Sequence, residues 1–296
     1  MVNLRYHVVT LVAVFLALAV GVFLGAGPLQ NRINSVGEGT TLAAQNEDLQ
    51  GDLTAAQAIS EEQQRFIAGL GKEATADILN GRQVALVLLP GVPQEVTDSI
   101  NGALVDAGAA VAGTVKLTSS WVSVGEREYR DTLSAPVAGH LQGEGESADA
   151  VLAQALVEVL TTTGAEQSLV QEILSDPQTP LVESGSFPDV VVDTIVLVGA
   201  NAGDDTQSGG AVEVVDSTLI TLATKIAEGA DSVAVGPADA DSDLVTILRR
   251  ASAPIATVDQ VGTQMAGINV ALVLAGTDTG AYGQGVGADA PVAPRP

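Results

Sequence analysis

Few side chains in this sequence could support nucleophilic catalysis. The chain has two histidines and no cysteine: His7 precedes a long uncharged segment, and His140 lies in a glycine-containing loop. Ser119 and Ser120 lie in the same connecting region as His140 and are the hydroxyls that it could activate. No Gly-x-Ser-x-Gly elbow precedes a predicted helix. We therefore predict no catalytic residues and a protein that is not an enzyme.

An acidic segment at 239–243 resembles the first half of a calcium loop, because Asp239, Asp241 and Asp243 alternate with other residues. An EF-hand would need glycine where Leu244 stands and glutamate where Arg250 stands, and the sequence has neither. The alternative is that Asp241 and Asp243 precede a helix, where carboxylates cap amides and complement the helix dipole. We favour the capping role and assign no metal ligands here.

Copper(I) prefers thiolate and thioether ligands. With no cysteine, the only such group beyond the first residue is Met265, which lies on an apolar helix face and is expected in the core. We predict no resident cofactor, and the sequence leaves any metal ligands unknown.

A glycine-containing turn at 199–203 follows the predicted strand 194–198 and is a candidate for binding a small ligand. Ligands of open α/β sheets bind beyond the carboxyl ends of the strands, which makes Gly199 and Asn201 the candidate residues. The acids that follow at 204–205 disfavour a phosphate, and the turn at 89–93 lacks the Gly-x-Gly-x-x-Gly pattern.

The charge balance argues against nucleic-acid binding. The chain of 296 residues has a formal net charge of −24, and it contains no basic patch. Such a surface repels phosphate backbones. The acidity instead keeps an apolar domain rich in Ala and Val soluble.

Continuous apolar runs alternate with segments of helical periodicity from residue 81 to 275, which predicts strands buried on both faces and joined by helices. This alternation predicts an α/β, Rossmann-like, three-layer domain with a mainly parallel sheet. The tail 276–296, rich in Gly, Ala and Pro, is expected to be disordered. The predicted strands are 84–89, 109–117, 194–198, 232–236 and 255–258, and the predicted helices are 94–108, 148–163, 167–175, 212–228, 242–251 and 261–275.

An uncharged segment at 8–27 is long enough to cross a bilayer as a helix. The alternative is a cleaved signal peptide, but such apolar regions are shorter, and Pro28 disfavours cleavage after the small residues. With Arg5 on its amino side, residues 1–7 are expected in the cytoplasm and the main domain outside. Gly21 and Gly25 lie four apart and allow two such helices to approach closely. We therefore predict a single-pass membrane protein.

A polar segment at 28–80 is predicted to form a helical coiled-coil stalk, because apolar residues recur in two columns seven apart. The alternative is one amphipathic helix lying on its own domain. A parallel stalk above paired membrane helices predicts a homodimer. The residues predicted to mediate it are Gly21, Gly25, Leu42, Leu49, Leu53, Ile67 and Leu70.

Four segments resemble the mycobacterial copper transport protein B (MctB) family of actinobacterial envelope proteins. They are the apolar start 1–27, the segment 81–91, Thr257-Val258-Asp259, and Gly280-Ala281-Tyr282-Gly283. These pieces occur in the family's order, and the resemblance extends over nearly the whole chain.

The resemblance implies an envelope or outer-membrane protein of copper transport and homeostasis. It also suggests an alternative, because related proteins are linked to cell division through a membrane partner. In that alternative the chain is an envelope or division scaffold that binds a partner protein through its stalk or its α/β domain. No ligand set is carried over, since the matching positions are mostly apolar, Gly or Pro.

Overall fold

The computed structural model describes residues 46–67, 69–141, 147–200, 216–276 and 279–296. The chain divides into two compact units, 1–64 and 65–296. In the first unit, residues 46–64 are helical and all are exposed. The predicted membrane helix 8–27, with Gly21 and Gly25, and the seam residue Leu42 lie outside the described residues. Within the described ranges, no helix has the length and apolar character needed to cross a membrane.

The second unit contains a six-stranded sheet in which every strand pairing is parallel, in the order β2-β1-β3-β4-β5-β6. This confirms an α/β fold with a parallel sheet. All five predicted strands are present, and each end lies within one residue of its predicted position. The strands are β1 (Gln83–Leu88), β2 (Ala110–Lys116), β3 (Thr194–Val198), β4 (Asp231–Val235), β5 (Ala256–Val258) and β6 (Ala281–Tyr282).

Helices cover both faces of this sheet. The described helical residues of this unit before β1 are 65–67 and 69–75, labelled α1. After β1 come α2 (Gln94–Asp106), α3 (Ser119–Val122), α4 (Arg127–Ala138), α5 (Ala148–Thr161), α6 (Ala165–Leu174), α7 (Asp216–Gly229), α8 (Leu244–Arg250) and α9 (Gln264–Ala275), with a 3₁₀ turn at Val124–Glu126.

Two hydrophobic cores lie on opposite faces of the sheet, because successive side chains of a strand point to opposite sides. In β3, Ile195 and Leu197 join the core formed with α5, α7 and α8, whereas Val196 and Val198 join the core formed with α2 and α9. All four are fully buried. This explains why the central strands are continuously apolar, and it makes the domain a three-layer structure.

The second unit begins at Arg65, earlier than the boundary predicted at residue 81. The reason is that Thr75 and Leu79 are buried, and Ile268 of α9 packs against Gly71 of α1 so closely that a Cβ at residue 71 would overlap it. Gly71 therefore permits the close approach of these two helices.

The expectation of a disordered tail at 276–296 is wrong for residues 279–296. Ala281 and Tyr282 form β6 alongside β5, and Tyr282 and Ala293 are buried. The side-chain amide of Asn269 donates to the carbonyl of Pro291 at 3.0 Å and accepts from the amide of Ala293 at 2.9 Å. Paired backbone and a buried polar clamp thus order a segment whose composition alone resembles a linker.

The connection from β5 to β6 has an unusual hand. The crossover connections β3-α7-β4 and β4-α8-β5 step toward the β6 edge of the sheet, and their helices lie on the face of the first core. The connection β1-α2-β2 steps toward the opposite edge, and its helix lies on the opposite face. Reversing both the direction and the face leaves the handedness unchanged, so all three crossovers have the same handedness. The connection β5-α9-β6 keeps the first direction but uses the face of α2, which gives it the opposite hand. Nearly all such crossovers share one hand, so β6 depends on specific contacts to hold it in the sheet.

Candidate functional site

A crevice of about 510 Å³ opens at the carboxyl edge of the sheet. The loops that follow four neighbouring strands line it, together with the start of α2. This is where open α/β sheets bind ligands, because the strand order reverses beside β1. Its lining comprises Pro93, Val96, Gly199, Ala200, Pro237, Ala238, Asp239, Asp259, Gln260, Val261, Thr263, Gln284 and Gly285.

Of the two predicted ligand-site residues, Gly199 lines this crevice, and Asn201 lies outside the described residues. The glycine also has a packing role. A Cβ at residue 199 would lie 2.8 Å from the Cβ of Leu244, and the backbone of Gly236 lies against that of Gly199. The turn after β3 therefore needs glycine to pack against α8, whether or not a ligand binds beside it.

The carboxylate of Asp259 is the most buried polar group in the crevice wall. It accepts hydrogen bonds from the amides of Gln284 and Gly285, both at 2.8 Å, and from the guanidinium of Arg249 at 2.8 Å. Asp259 follows β5 directly, and residues 284–285 follow β6, so the carboxylate ties the ends of these two strands together.

Arg249, near the end of α8, joins the motifs that carry the family resemblance. Its Nε donates to the hydroxyl of Thr257 at 3.0 Å, Nη1 donates to Asp259, and Nη2 donates to the carbonyl of Tyr282 at 3.0 Å. Nη1 also donates to the carbonyl of Val286 at 3.1 Å. Thr257-Val258-Asp259 and Gly280-Ala281-Tyr282-Gly283, distant in sequence, thus meet on one guanidinium.

Gly283 sits directly over the Asp259 carboxylate. Its φ is +130°, and a Cβ there would overlap the carboxylate. Gly285 is similarly restricted, because a Cβ would lie 2.7 Å from that of Ala238. The turn after β6 is therefore shaped to deliver two amides to Asp259, which accounts for the glycine at the end of the Gly-Ala-Tyr-Gly motif.

The polar lining of the crevice consists of carboxylates, amides and a hydroxyl. The carboxylate of Asp239 is exposed, and the charge of Asp259 is balanced by Arg249. Gln260 adopts a φ of +59°, which is uncommon for a residue with a side chain. The residues lining the described crevice include no lysine or arginine. Its chemistry therefore suits a ligand that donates hydrogen bonds or carries positive charge better than a phosphate.

The acidic segment at 239–243 forms a turn before α8. The carboxylate of Asp243, which is 2% exposed, accepts from the amides of Asp239 and Ala240 at 2.9 and 2.8 Å. Asp243 occupies the N-cap position of α8, but its side chain caps no amide of the helix, so the predicted capping of helix amides is wrong for this residue. Its carboxylate instead holds the turn that precedes the helix. Asp241 is exposed.

His140 and the two serines, Ser119 and Ser120, do not form a catalytic arrangement among the described contacts. The ring of His140 pairs with the carboxylate of Glu166, and the carbonyl of Ser120 accepts from the buried Arg130 at 3.0 Å. Among the described contacts, no hydrogen bond joins His140 to Ser119 or Ser120. Across the described ranges, no group of three or more His, Cys, Asp or Glu side chains is placed to hold a metal ion. Met265, expected in the core, is only partly buried on α9.

Sequence reasoning missed Arg249 and α4. Arg249 precedes Arg250 at the end of a helix, where cations complement the dipole and attract no special notice. Arg130 of α4 is almost fully buried and donates to Asp149 at 2.8 Å, and Asp149 also accepts from Thr218 at 2.7 Å. The polar composition of α4 and its Pro136 concealed the helix from an analysis of hydrophobic periodicity.

Comparison with known proteins gives a match along the whole chain. A family model described as "Copper transport outer membrane protein, MctB" matches residues 1–293. The chain is 26% identical over 325 positions to the "Copper transporter MctB" of Mycobacterium tuberculosis (strain ATCC 25618 / H37Rv), covering 97% of this chain and 98% of that protein. It is 27% identical over 326 positions to the "Copper transporter MctB" of Mycobacterium leprae (strain TN), covering 100% of both. The matched region runs from the apolar start through the turn that holds Asp259, and on this basis the chain belongs to the MctB family of copper transport outer membrane proteins.

Proposed function

We propose that this protein is a single-pass, membrane-anchored protein of the cell envelope that acts in copper transport or homeostasis and has no enzymatic activity. The observation that carries the proposal is the family match over residues 1–293, with relatives named as copper transporters over their full lengths. The uncharged segment at 8–27 supports the anchor, with residues 1–7 in the cytoplasm and the α/β domain outside.

Within this role, we assign the crevice as the part of the domain that meets a ligand or partner. It is formed by loops at the edge of the sheet that open α/β folds use for binding. The Arg249–Asp259 pair fixes the loop after β6 in one conformation, and a rigid wall of this kind preorganises a binding site.

The test is a deletion strain scored for growth across a series of copper concentrations. We expect loss of the protein to lower the copper concentration that arrests growth, and we expect the full-length chain to restore it. A deletion strain with unchanged copper tolerance would contradict the copper role.

The crevice can be tested in the same strain with a matched pair of variants. Asp239→Asn changes an exposed carboxylate that lines the crevice, whereas Asp241→Asn changes an exposed carboxylate two residues away that does not line it. We expect Asp239→Asn to complement poorly and Asp241→Asn to complement fully. Equal complementation by both would argue that this part of the crevice is not used.

A second candidate is an envelope or cell-division scaffold. It is favoured by the exposed apolar side chains of the helical residues 46–66, which include Leu49, Leu53 and Phe66 and which suit contact with another protein. Septation defects in a deletion strain of normal copper tolerance would support the scaffold over the copper role.

A further inference from the structure

The helical residues 46–67 carry several large apolar side chains that are exposed. Leu49, Leu53 and Ile59 are 68%, 59% and 58% exposed, and Phe66 is exposed as well. If the heptad positions are lettered with Leu53 at a and Leu49 at d, then Asn46, Ser60 and Ile67 also occupy a. Ile59 and Phe66 then occupy g, next to the seam, and widen the apolar face beyond a and d.

Charge is arranged around this face in a specific way. The e positions carry Gln50, Gln57 and Gln64, three neutral amides seven residues apart. The acidic residues of the segment lie at the outer positions b and c, with the single exception of Asp52 at g. Those outer acids are Glu47, Asp48, Glu61 and Glu62.

This arrangement matters because the chain carries a formal net charge of −24, so two copies repel each other over most of their surface. Like charges at g and e would add to that repulsion in a parallel pair, where each g position faces the e position of the next heptad. Here Asp52 would face the partner subunit's Gln57, and Ile59 would face the partner subunit's Gln64. An amide can donate to the carboxylate, and its methylenes can cover the isoleucine.

We propose that residues 46–67 form a parallel, in-register interface with a second copy of this chain, with the glutamine column permitting an acidic protein to pair with itself. Asn46 fits this register, since an asparagine at a favours the matching asparagine of a parallel partner. In the structure its Oδ1 accepts from Gln50 Nε2 at 3.2 Å, and this hydrogen bond does not use the amide donors of Asn46.

The interface is expected to be weak in isolation. Ser60 and Gln63 are polar seam residues, and Gly51 lowers helix stability by about 1 kcal/mol. Two chains anchored side by side in one membrane raise the effective concentration of the stalks, so a weak seam suffices there. The interface does not depend on the copper role, and its test is independent of copper.

The absence of native cysteine allows a direct test with single cysteines in the full-length protein in membranes. Ala56→Cys places a thiol at seam position d, and Ala58→Cys places one at outer position f. Both positions are exposed in the single chain, so neither variant disturbs the fold. Ser60→Cys at a and Ala55→Cys at c form a second matched pair. Under mild oxidation we expect disulfide-linked dimers of the Ala56→Cys and Ser60→Cys variants, and severalfold less dimer of the other two.

Several outcomes would overturn the proposal. Equal cross-linking at all four positions would indicate random collision, and cross-linking confined to Ala58→Cys and Ala55→Cys would place the interface on another face. No dimer from either seam variant would also count against it, as would capture of a different protein in place of a second copy.

Introducing Leu53→Asp into the Ala56→Cys variant should reduce its dimer severalfold, whereas Thr54→Asp at outer position b should not.

Discussion

The guanidinium of Arg249 lies 2.8 Å from the carboxylate of Asp259, and the two side chains are only 6% and 1% exposed. This buried pair joins the end of α8 to the ends of β5 and β6. A buried ion pair contributes little when compared with apolar residues of the same shape, but removing one partner leaves an uncompensated charge. The relationship therefore predicts a large effect from single changes at either residue.

Asp259→Ala should destabilise the domain by about 3–5 kcal/mol, because it leaves the Arg249 guanidinium buried without its counter-charge and frees the amides of Gln284 and Gly285. Urea unfolding of the full-length chain, followed by circular dichroism, measures this loss. Asp231→Ala is the control: its exposed ion pair with Arg82 should contribute about 1 kcal/mol or less. Similar losses for both variants would contradict the importance assigned to burial.

Gly283→Ala should destabilise the protein by about 3 kcal/mol or more. Overpacking costs about 1–3 kcal/mol, and the φ of +130° adds strain of about 1–3 kcal/mol for a residue with a side chain. Gly102→Ala is the matched control, since Gly102 lies within α2 and, apart from the helix's own backbone and the adjacent residues, nothing lies within 4 Å of an added Cβ. That variant should gain up to about 1 kcal/mol. Comparable melting temperatures for the two variants would argue against a close approach at Gly283.

Asn269→Ala should release the C-terminal segment. The change removes the partner of the Pro291 carbonyl and of the Ala293 amide, at a cost of about 1–3 kcal/mol for each buried group left unpaired. Hydrogen exchange measured by mass spectrometry should show faster exchange confined mainly to 279–296. Arg295→Ala removes one long hydrogen bond to the Ala74 carbonyl and should leave this exchange nearly unchanged. Unaltered protection in Asn269→Ala would show that β6 pairing alone orders the segment.

Arg130→Met should also destabilise the domain, by about 3 kcal/mol, because Asp149 then retains only Thr218 as a partner. Adding Asp149→Leu should recover part of the loss, since it removes the carboxylate that has lost its counter-charge. A double-mutant cycle by urea unfolding measures the coupling, which should exceed 1 kcal/mol for groups in direct contact. Additive losses would indicate that the two side chains act independently.

The strands and most helices could be predicted from the sequence because a parallel sheet buried on both faces produces continuous apolar runs. Thr194–Val198 was predicted with its observed bounds for this reason. The tail could not be predicted in the same way, because β6 has only two residues and its order comes from Asn269 and from the amides held by Asp259. Those contacts join residues that are far apart in sequence, so they cannot be predicted from the composition of the tail.

The candidate site was predictable only in outline. Gly199 was found because ligands bind beyond the carboxyl ends of parallel strands, a property of the fold. The role of Arg249 could not be predicted, because it depends on contacts with residues of β5 and β6 that form only when α8 packs against the folded sheet. The residues that carry the family resemblance, Asp259 and Gly283, were visible in sequence, but their direct contact was not.

The hydrogen bond from Arg295 to the Ala74 carbonyl places the last residues of the chain against α1, the first helix of the domain. The carboxyl end of α1 and Arg295 are therefore neighbours in space, and proximity of this kind is common in domains that tolerate circular permutation. A linker that runs back from Arg295 along α1 to Arg65, with new termini opened in the exposed turn at Gly185, should give a chain that still folds. Such a permutant would separate the folding of this unit from its attachment to residues 1–64.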